Sequence, residues 1–268
     1  MRLSYQTYRV GDMQKKLRSM GVRPLDVMMT GVTGAGKSTT LNAFFQKTVA
    51  KVGDGVDPET MELDSYMLND YFRVWDTPGL GDGVFMDQIH KKKITDLLYK
   101  TYSYENKDYG FIDMALVVVE GANRDMGTTY ALLNEVIVPS IQSDRILVLI
   151  NQADMAMKGR HWDHVNRRPD PVLLDFLDQQ AYSIQRRVLE ATGVWIPKPV
   201  YYSAEYGWNV DKVVDMIIDH MPEERRCITA NPNPIRDLPD KQNSLPPVNV
   251  LRDRLFDFNV FSVLSMTE

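Results

Sequence analysis

Eight consecutive residues, Gly31-Val-Thr-Gly-Ala-Gly-Lys-Ser38, set glycines ahead of a lysine and a hydroxyl. This spacing suits a backbone that must wrap closely around a phosphate, because glycine permits the turn and the amides can aim inward. The pattern G-x-x-x-x-G-K-[ST] is met at every fixed position. Thr33, Gly34, Ala35 and Gly36 are therefore candidate phosphate contacts. Lys37 is expected to reach the β- and γ-phosphates of a nucleotide, Ser38 to offer its hydroxyl to magnesium, and Thr39 to add a further phosphate contact. A glycine-rich turn can match the pattern by chance, so context matters. Here the motif follows a predicted strand and opens a predicted helix, whose positive N-terminal end adds to the site.

Three later clusters bear on the same chemistry. Asp76-Thr-Pro-Gly79 closes a predicted strand. A carboxylate there can hold magnesium through a water, and the Gly79 amide can contact a γ-phosphate. Alone, this tetrapeptide is only a turn signal. Asn151-Gln-Ala-Asp154 ends a later strand. A carboxylate at Asp154 can accept from the ring N–H and exocyclic amine of guanine. Adenine would leave it desolvated and unpaired, at a cost on the order of 1–3 kcal/mol or more. Asn151 can tie this loop to the phosphate loop, and Gln152 can lay its stem against the base. Read alone, the cluster is equally a polar turn. Ser203-Ala-Glu205 follows the last predicted strand, where the Ala204 amide can donate to guanine O6. All four clusters fall at predicted strand ends, where open α/β sheets bind ligands.

The elements that must position them alternate. Val10, Met13, Leu17 and Met20 predict an amphipathic helix ended by Gly21 and Pro24. A strand is predicted at Leu25–Gly31, a helix after Gly36, and strands around Glu62–Leu68 and Tyr71–Asp76. A helix is expected over Met86–Tyr102, a buried strand at Met114–Val119, a helix at Gly127–Ile141 and a strand at Arg145–Ile150. Met155–Pro171 reads as an inserted loop, followed by a helix over Val172–Ala191 and a strand at Pro199–Tyr202. Val210, Val213, Val214, Ile217, Ile218 and Met221 share one helical face. The alternation implies a mainly parallel sheet covered on both faces. The expected division is an N-terminal helix (1–24), a nucleotide-binding domain (25–221) and a Pro-rich C-terminal extension (222–268).

The 268 residues are 44% hydrophobic and 25% charged, enough for one sizeable core. No apolar run approaches the roughly 20 residues that span a bilayer, and the start lacks a signal-peptide core. A cytoplasmic protein is the expectation. The net charge of −5 gives no strong nucleic-acid signal. Basic residues near the N-terminus and the run Lys91-Lys92-Lys93 read as solvated helix faces. The one cysteine, Cys227, cannot form an internal disulfide. His161, Asp163 and His164 lack a third ligand at metal spacing, and read as a turn with exposed histidines. Trp162, Trp195 and Trp208 read as packing residues.

Taken together, the four clusters resemble the first, third, fourth and fifth signature motifs of Ras-like P-loop GTPases, over roughly residues 25–221. Within the translation-factor-like class, GVTGAGKSTTLNAFF and WDTPGLGDG are most similar to Era/TrmE-type bacterial GTPases, with septin and AIG1-like features. The resemblance implies an α/β, three-layer Ras-like G domain with a mostly parallel six-stranded sheet, and GTP/GDP with Mg2+ as cofactors. It also implies a magnesium-binding threonine in the segment after the first helix of the G domain. Thr60 is the candidate, with Thr48 the lesser one. The metal set is then Ser38, Thr60 and Asp76.

The departures are informative. Leu80 stands where Ras-like enzymes carry a water-orienting glutamine, so intrinsic hydrolysis is expected to be slow. Gly34 stands where some relatives hold potassium through an asparagine, which disfavours potassium activation. Gln152 and Glu205 replace the commoner lysines of their motifs. No catalytic base is assignable, and Asp82 and Arg124 are local candidates for the missing group. A nucleotide-dependent homodimer or a protein activator is the implied partner. The first helix and the apolar C-terminal tip are the candidate membrane contacts. The expected function is a GTP-hydrolysing switch. The alternatives are a non-hydrolysing GTP/GDP-binding assembly module, and an ATPase, from which Asp154 discriminates.

Overall fold

The computed structural model describes residues 4–47, 64–122 and 126–234. Thr48, Thr60, Arg124 and the apolar C-terminal tip lie outside the described residues.

Helix α1 (Val10–Met20) is followed by β1 (Leu25–Gly31), α2 (Lys37–Phe45), β2 (Ser65–Asn69), β3 (Phe72–Asp76) and α3 (Val84–Tyr99). A hairpin of β4 (Thr101–Tyr104) and β5 (Lys107–Gly110) leads to β6 (Met114–Glu120). Helix α4 (Gly127–Ala131) runs through a π-helical stretch, Leu132–Ile137, into α5 (Val138–Ser140). Then come β7 (Ile146–Asn151), the short pair β8 (Trp162–Asp163) and β9 (Arg168–Pro169), α6 (Pro171–Thr192), β10 (Val200–Tyr201) and α7 (Val210–Asp219).

The main sheet has six strands in the order β10-β7-β6-β1-β3-β2. All neighbours pair in parallel except β2 with β3, which is antiparallel at the edge. Alternation along β1 sends Val27 and Met29 to one core and Met28 to the other. The first core is covered by α1, α2 and α7, and the second by α3, the α4–α5 helix and α6. Strands buried on both faces read as continuous apolar runs, which is why β1, β6 and β7 stood out in the sequence. The expected three-layer α/β fold with a mostly parallel six-stranded sheet is the one observed.

Helix α1 buries Met13, Leu17 and Met20, so the apolar face considered for a membrane already lies in the core. Arg9 pins its start to α7, with Nη1 2.9 Å from Asp215 Oδ1 and Nη2 2.7 Å from Asp219 Oδ1. No helix among the described residues is long and apolar enough to cross a membrane.

Three regions differ from the sequence expectation. The helix expected to reach Tyr102 stops at Tyr99, and Thr101–Gly110 forms a hairpin instead. Glu105 and Asn106 both take positive φ, 49° and 59°, the signature of a tight turn matching strand twist. Tyr102, Tyr104 and Tyr109 surround the Arg225 guanidinium, which lies 3.7 Å from the Tyr104 ring centre. The expected loop at 155–171 contains a tight turn, Ala156–Gly159, with Met157 and Lys158 at positive φ, and the β8–β9 pair.

The third difference follows Met221. A compact unit continues past the compositional break as far as Asn233. Prolines deny this stretch a helix, yet two side chains fasten it. Arg226 is buried and donates from Nε to Ile112 O at 2.6 Å, with further bonds to Ser140 O and Leu98 O. Asn233 donates to Val138 O and Ile141 O at 2.7 and 2.8 Å, and accepts from the Ser143 amide.

Asp113 sits beneath this seam and accepts the Asp26 amide at 2.9 Å. Burial pushes its carboxyl up to about 7, opposed by the hydrogen bond from the Asp26 amide and by Arg145 and Arg226, with the Asp26 charge acting in the same direction as burial. The unfolded chain releases this proton in the ordinary carboxylate range, so between there and about 7 only the folded state holds it. This contribution to stability is full at low pH, falls as pH rises through that window, and is gone above it. Asp113→Asn should abolish that slope. Denaturant unfolding of both proteins across the window should show the wild-type advantage shrinking with rising pH. A difference independent of pH would mean that the carboxyl does not titrate there.

Candidate functional site

The phosphate loop links β1 to α2. At Gly31 a Cβ would lie 2.2 Å from Val118 O, so only glycine lets the end of β1 approach β6 this closely. Gly36 takes φ 84°, and a Cβ there would meet Asn151 Nδ2 at 2.2 Å. Lys37 folds back over the loop, its Nζ 3.2 Å from Val32 O and 3.4 Å from Gly31 O. Burial lowers its pKa, against the pull of Asp76 and Asp82. Ser38 and Thr39 lie in the first turn of α2.

The segment Asp76–Leu80 is bound to this loop through its backbone. Thr33 N–H donates to Leu80 O at 2.7 Å, and Leu80 N–H to Gly31 O at 3.2 Å. Thr77 donates twice to Met29 O, from its amide at 3.1 Å and its hydroxyl at 3.0 Å. A Cβ at Gly79 would stand 2.7 Å from Thr33 N, so the two backbones touch. Asp76 Oδ1 is buried without a hydrogen-bond partner. Burial raises this carboxyl to about 6, partly offset by Lys37 and the Thr77 amide, with Asp64 acting in the same direction as burial. An orphaned carboxylate oxygen facing a lysine fits a site for a hydrated cation, with Ser38 as the second protein ligand.

The base side is organised by Asn151, which is 2% exposed. Its Nδ2 donates to Ala35 O at 3.0 Å and Gly36 O at 3.4 Å, and its Oδ1 accepts the Ala204 amide at 3.0 Å. The Ala204 N–H expected at guanine O6 is thus directed to Asn151, because a buried carboxamide oxygen needs a donor. Gln152 takes φ 59° and donates to Gly34 O at 2.8 Å, so its amide braces the phosphate loop. Asp154 is buried, and its Oδ1 has no partner. An acceptor left open in this way fits the paired N–H donors of guanine. Ser203 is buried and exchanges backbone bonds with Trp208, whereas Glu205 is exposed.

The catalytic candidates fare unevenly. Leu80 is fully buried and packs in the second core with Met28, Ile94 and Leu98. Asp82 is exposed at the entry to α3, its amide directed to Asp87. Arg124 lies outside the described residues. His161 pairs with Asp170 at 2.7 Å and Asp163 caps the Val165 and Asn166 amides, so these residues do not converge with His164. Among the described residues no group of three His, Cys, Asp or Glu can hold a metal.

Two residues escaped the sequence reading. His90 is buried on α3, with Nδ1 2.6 Å from Gly79 O. Its spacing to Ile94, Leu97 and Leu98 on one helical face was the available signal. Glu120 ends β6 with Oε1 3.2 Å from where a Gly34 Cβ would stand, and burial raises its pKa. Nothing local in the sequence marks it.

A P-loop on a parallel sheet, a strand-end carboxylate beside it, and a base-side loop with an open acceptor define a nucleotide-binding G domain. Residues 26–152 match the family model described as 50S ribosome-binding GTPase, and this segment is a P-loop GTPase domain. No curated protein sequence matches the chain. The fold is similar to that of Toc33 from Arabidopsis thaliana, in a structure described as a dimerization-deficient mutant. That likeness has TM-score 0.56 at 15% identity and covers 84% of this chain and 98% of that one. Toc33 in complex with GDP and Mg2+ gives TM-score 0.53 at 16% identity, covering 85% and 98%. Toc33 with Mg2+ and GMPPNP gives 0.52 at 15%, covering 84% and 98%. At these identities the likeness speaks for the fold.

Asn151→Ala should expose the dependence of the site on one side chain. It leaves the Ala35 carbonyl and Ala204 amide without their partner, at about 1–3 kcal/mol for each group that stays buried. Denaturant unfolding should register the loss, and nucleotide titration should show weaker binding of guanine di- and triphosphates alike. Unchanged stability and affinity would mean that the three loops hold without it.

Proposed function

We propose that the chain is a guanine-nucleotide switch that hydrolyses GTP to GDP and phosphate, slowly alone and faster with a partner or as a dimer. The observation that carries the guanine assignment is the buried, unpartnered Asp154 Oδ1 beside the fastened Asn151. The loop amides from Thr33 to Gly36 and the Lys37 ammonium hold the β- and γ-phosphates. Magnesium, when bound through Ser38 and Asp76, supplies charge neutralisation at the phosphate oxygens. Gly79, pressed against Thr33, is set to offer its amide to the γ-phosphate. Loss of that phosphate removes the contact and lets the segment relax.

Leu80 supports the slow rate, since its side chain is a core residue and cannot orient water. The group that does so is supplied elsewhere, with Asp82 and Arg124 the nearest candidates in sequence. Toc33 is described in one structure by a dimerization defect. That is a property of that protein, and it motivates a test at rising concentration here. Single-turnover phosphate release from GTP should be slow when dilute and accelerate with protein concentration or an added partner. No release under any of these conditions would favour the second reading, a binding module without hydrolysis, which the buried Leu80 also supports. Sedimentation would then decide between them. Assembly that differs between GDP and a non-hydrolysable GTP analogue supports a switch, and identical behaviour argues against one.

Two substitutions separate the halves of the site. Lys37→Ala should weaken GTP and ATP binding together. Asp154→Asn should weaken GTP by about 10- to 150-fold, for a loss of about 1.5–3 kcal/mol at a charged group, and narrow its advantage over ATP. Competition titrations against a fluorescent guanine nucleotide measure both, and an unchanged GTP preference in Asp154→Asn would remove the base assignment.

A further inference from the structure

The inserted segment after Asp154 has no role in the site as described so far. It is tightly wound, with Met157, Lys158, His161 and Arg167 all at positive φ. Its β8–β9 pair carries Trp162 back into the body, where the indole is 5% exposed. There Trp162 packs in the same cluster as Ala153 and Ala156, which flank Asp154 and are fully buried. On its other side its ring centre lies 5.3 Å from Tyr206 and 5.7 Å from Trp208. Those two aromatics belong to the turn that closes immediately after Ser203-Ala204, through the paired backbones of Ser203 and Trp208. His164 of the insert adds a bond to the Tyr206 hydroxyl at 3.1 Å.

The two base-side loops are therefore joined twice. Beneath, Asn151 Oδ1 holds the Ala204 amide. Outside, Trp162 packs on Tyr206 and Trp208 of the turn after Ala204, within the core cluster that also holds Ala153 and Ala156 on either side of Asp154. The second joint matters because Asp154 Oδ1 receives no hydrogen bond from the protein. Its direction is set by packing of the backbone around it. A carboxylate that must meet two N–H groups at once depends strongly on that direction.

We propose that Trp162 is a positioning residue for guanine selectivity. The insert that carries it is an aromatic lock that holds Asp154 aimed at the base edge. This rests on the guanine reading above. The lock acts on the exocyclic amine and ring N–H contacts and leaves phosphate binding alone.

The test compares GDP with IDP, whose base lacks the exocyclic amine, by calorimetric titration. Wild-type protein should prefer GDP. Trp162→Ala should reduce the GDP-to-IDP preference by on the order of tenfold, the worth of two lost aromatic pairs, with IDP, which keeps only the ring N–H contact, losing clearly less affinity than GDP. Trp162→Phe should restore most of the preference. In an Asp154→Ala background, Trp162→Ala should have no further effect on GDP. Should Trp162→Ala fail to fold, Tyr206→Leu removes the same contact from the facing loop and carries the same expectation. A folded variant that keeps the full preference, loses GDP and IDP equally, or acts undiminished without Asp154 overturns the lock. Absence of any GDP preference in wild-type protein would instead overturn the guanine reading itself.

Discussion

The side chain of Asn151 is buried, and both ends of its carboxamide are engaged, one by the phosphate loop and the other by the Ala204 amide. Its carbonyl accepts the Gly121 amide at 2.7 Å, which brings in the end of β6 as well. Four chain segments far apart in sequence meet on this residue. Several other requirements follow from it. A Cβ at Gly36 would collide with its nitrogen, and one at Gly121 would stand 2.9 Å from its carbonyl oxygen. The glycines are needed because a buried carboxamide left short of a partner costs more than the turn does. The parallel register of β6 and β7, which sets Glu120 opposite Asn151, puts the residue where all four segments can reach it.

The other edge of the site follows a different rule. Leu80 is bonded to the phosphate loop at both its amide and its carbonyl, and its side chain fills the core between β1 and α3. It serves as a peg that ends the rigid part of the Asp76–Leu80 segment. His90 reinforces the peg by holding the Gly79 carbonyl from α3. Beyond it, Gly81 and Gly83 take φ of 113° and 110°, and Val84 and Phe85 are 80% and 74% exposed. A side chain at position 80 can anchor or face water, and this one anchors. The loss of a water-orienting group thus has a structural return. It fixes the exact approach of Gly79 to Thr33.

The parts of the protein that were legible in the sequence share a physical cause. Strands buried on both faces must be apolar throughout, so β1, β6 and β7 could be read directly. The phosphate loop and Asn151–Asp154 could be read because their chemistry restricts residue type at fixed spacing. Where contacts are long-range, the sequence was silent. Tyr102 looks like the tail of a helix until Arg225, far along the chain, is placed beside it. Arg226 sits in a Pro-rich stretch and reads as solvated, yet it is buried because three backbone carbonyls of other elements converge on it. Leu80 was legible as a missing glutamine and not as a core residue, since burial belongs to the packed state. The insert after Asp154 looked like a polar loop because its one tryptophan, Trp162, has its ring partners some forty residues onward, at Tyr206 and Trp208.

The two halves of the site are therefore held in different ways. On the base side, hydrogen bonds beneath and aromatic packing outside fix Asp154 and Ala204 from two directions. On the phosphate side, one buried peg is followed by glycines and exposed side chains. A ligand shifts a conformational equilibrium only by its differential affinity for the two states. GTP and GDP present the same base, so contacts there contribute equally to both and cannot bias the chain between two shapes. They can be made rigid without affecting switching. Under the proposed function the γ-phosphate alone differs, and the groups set to meet it are Gly79 and Lys37, beside the Leu80 peg. That division suits the proposed switch, since binding energy from the base half holds the ligand while contacts to the γ-phosphate distinguish its two states.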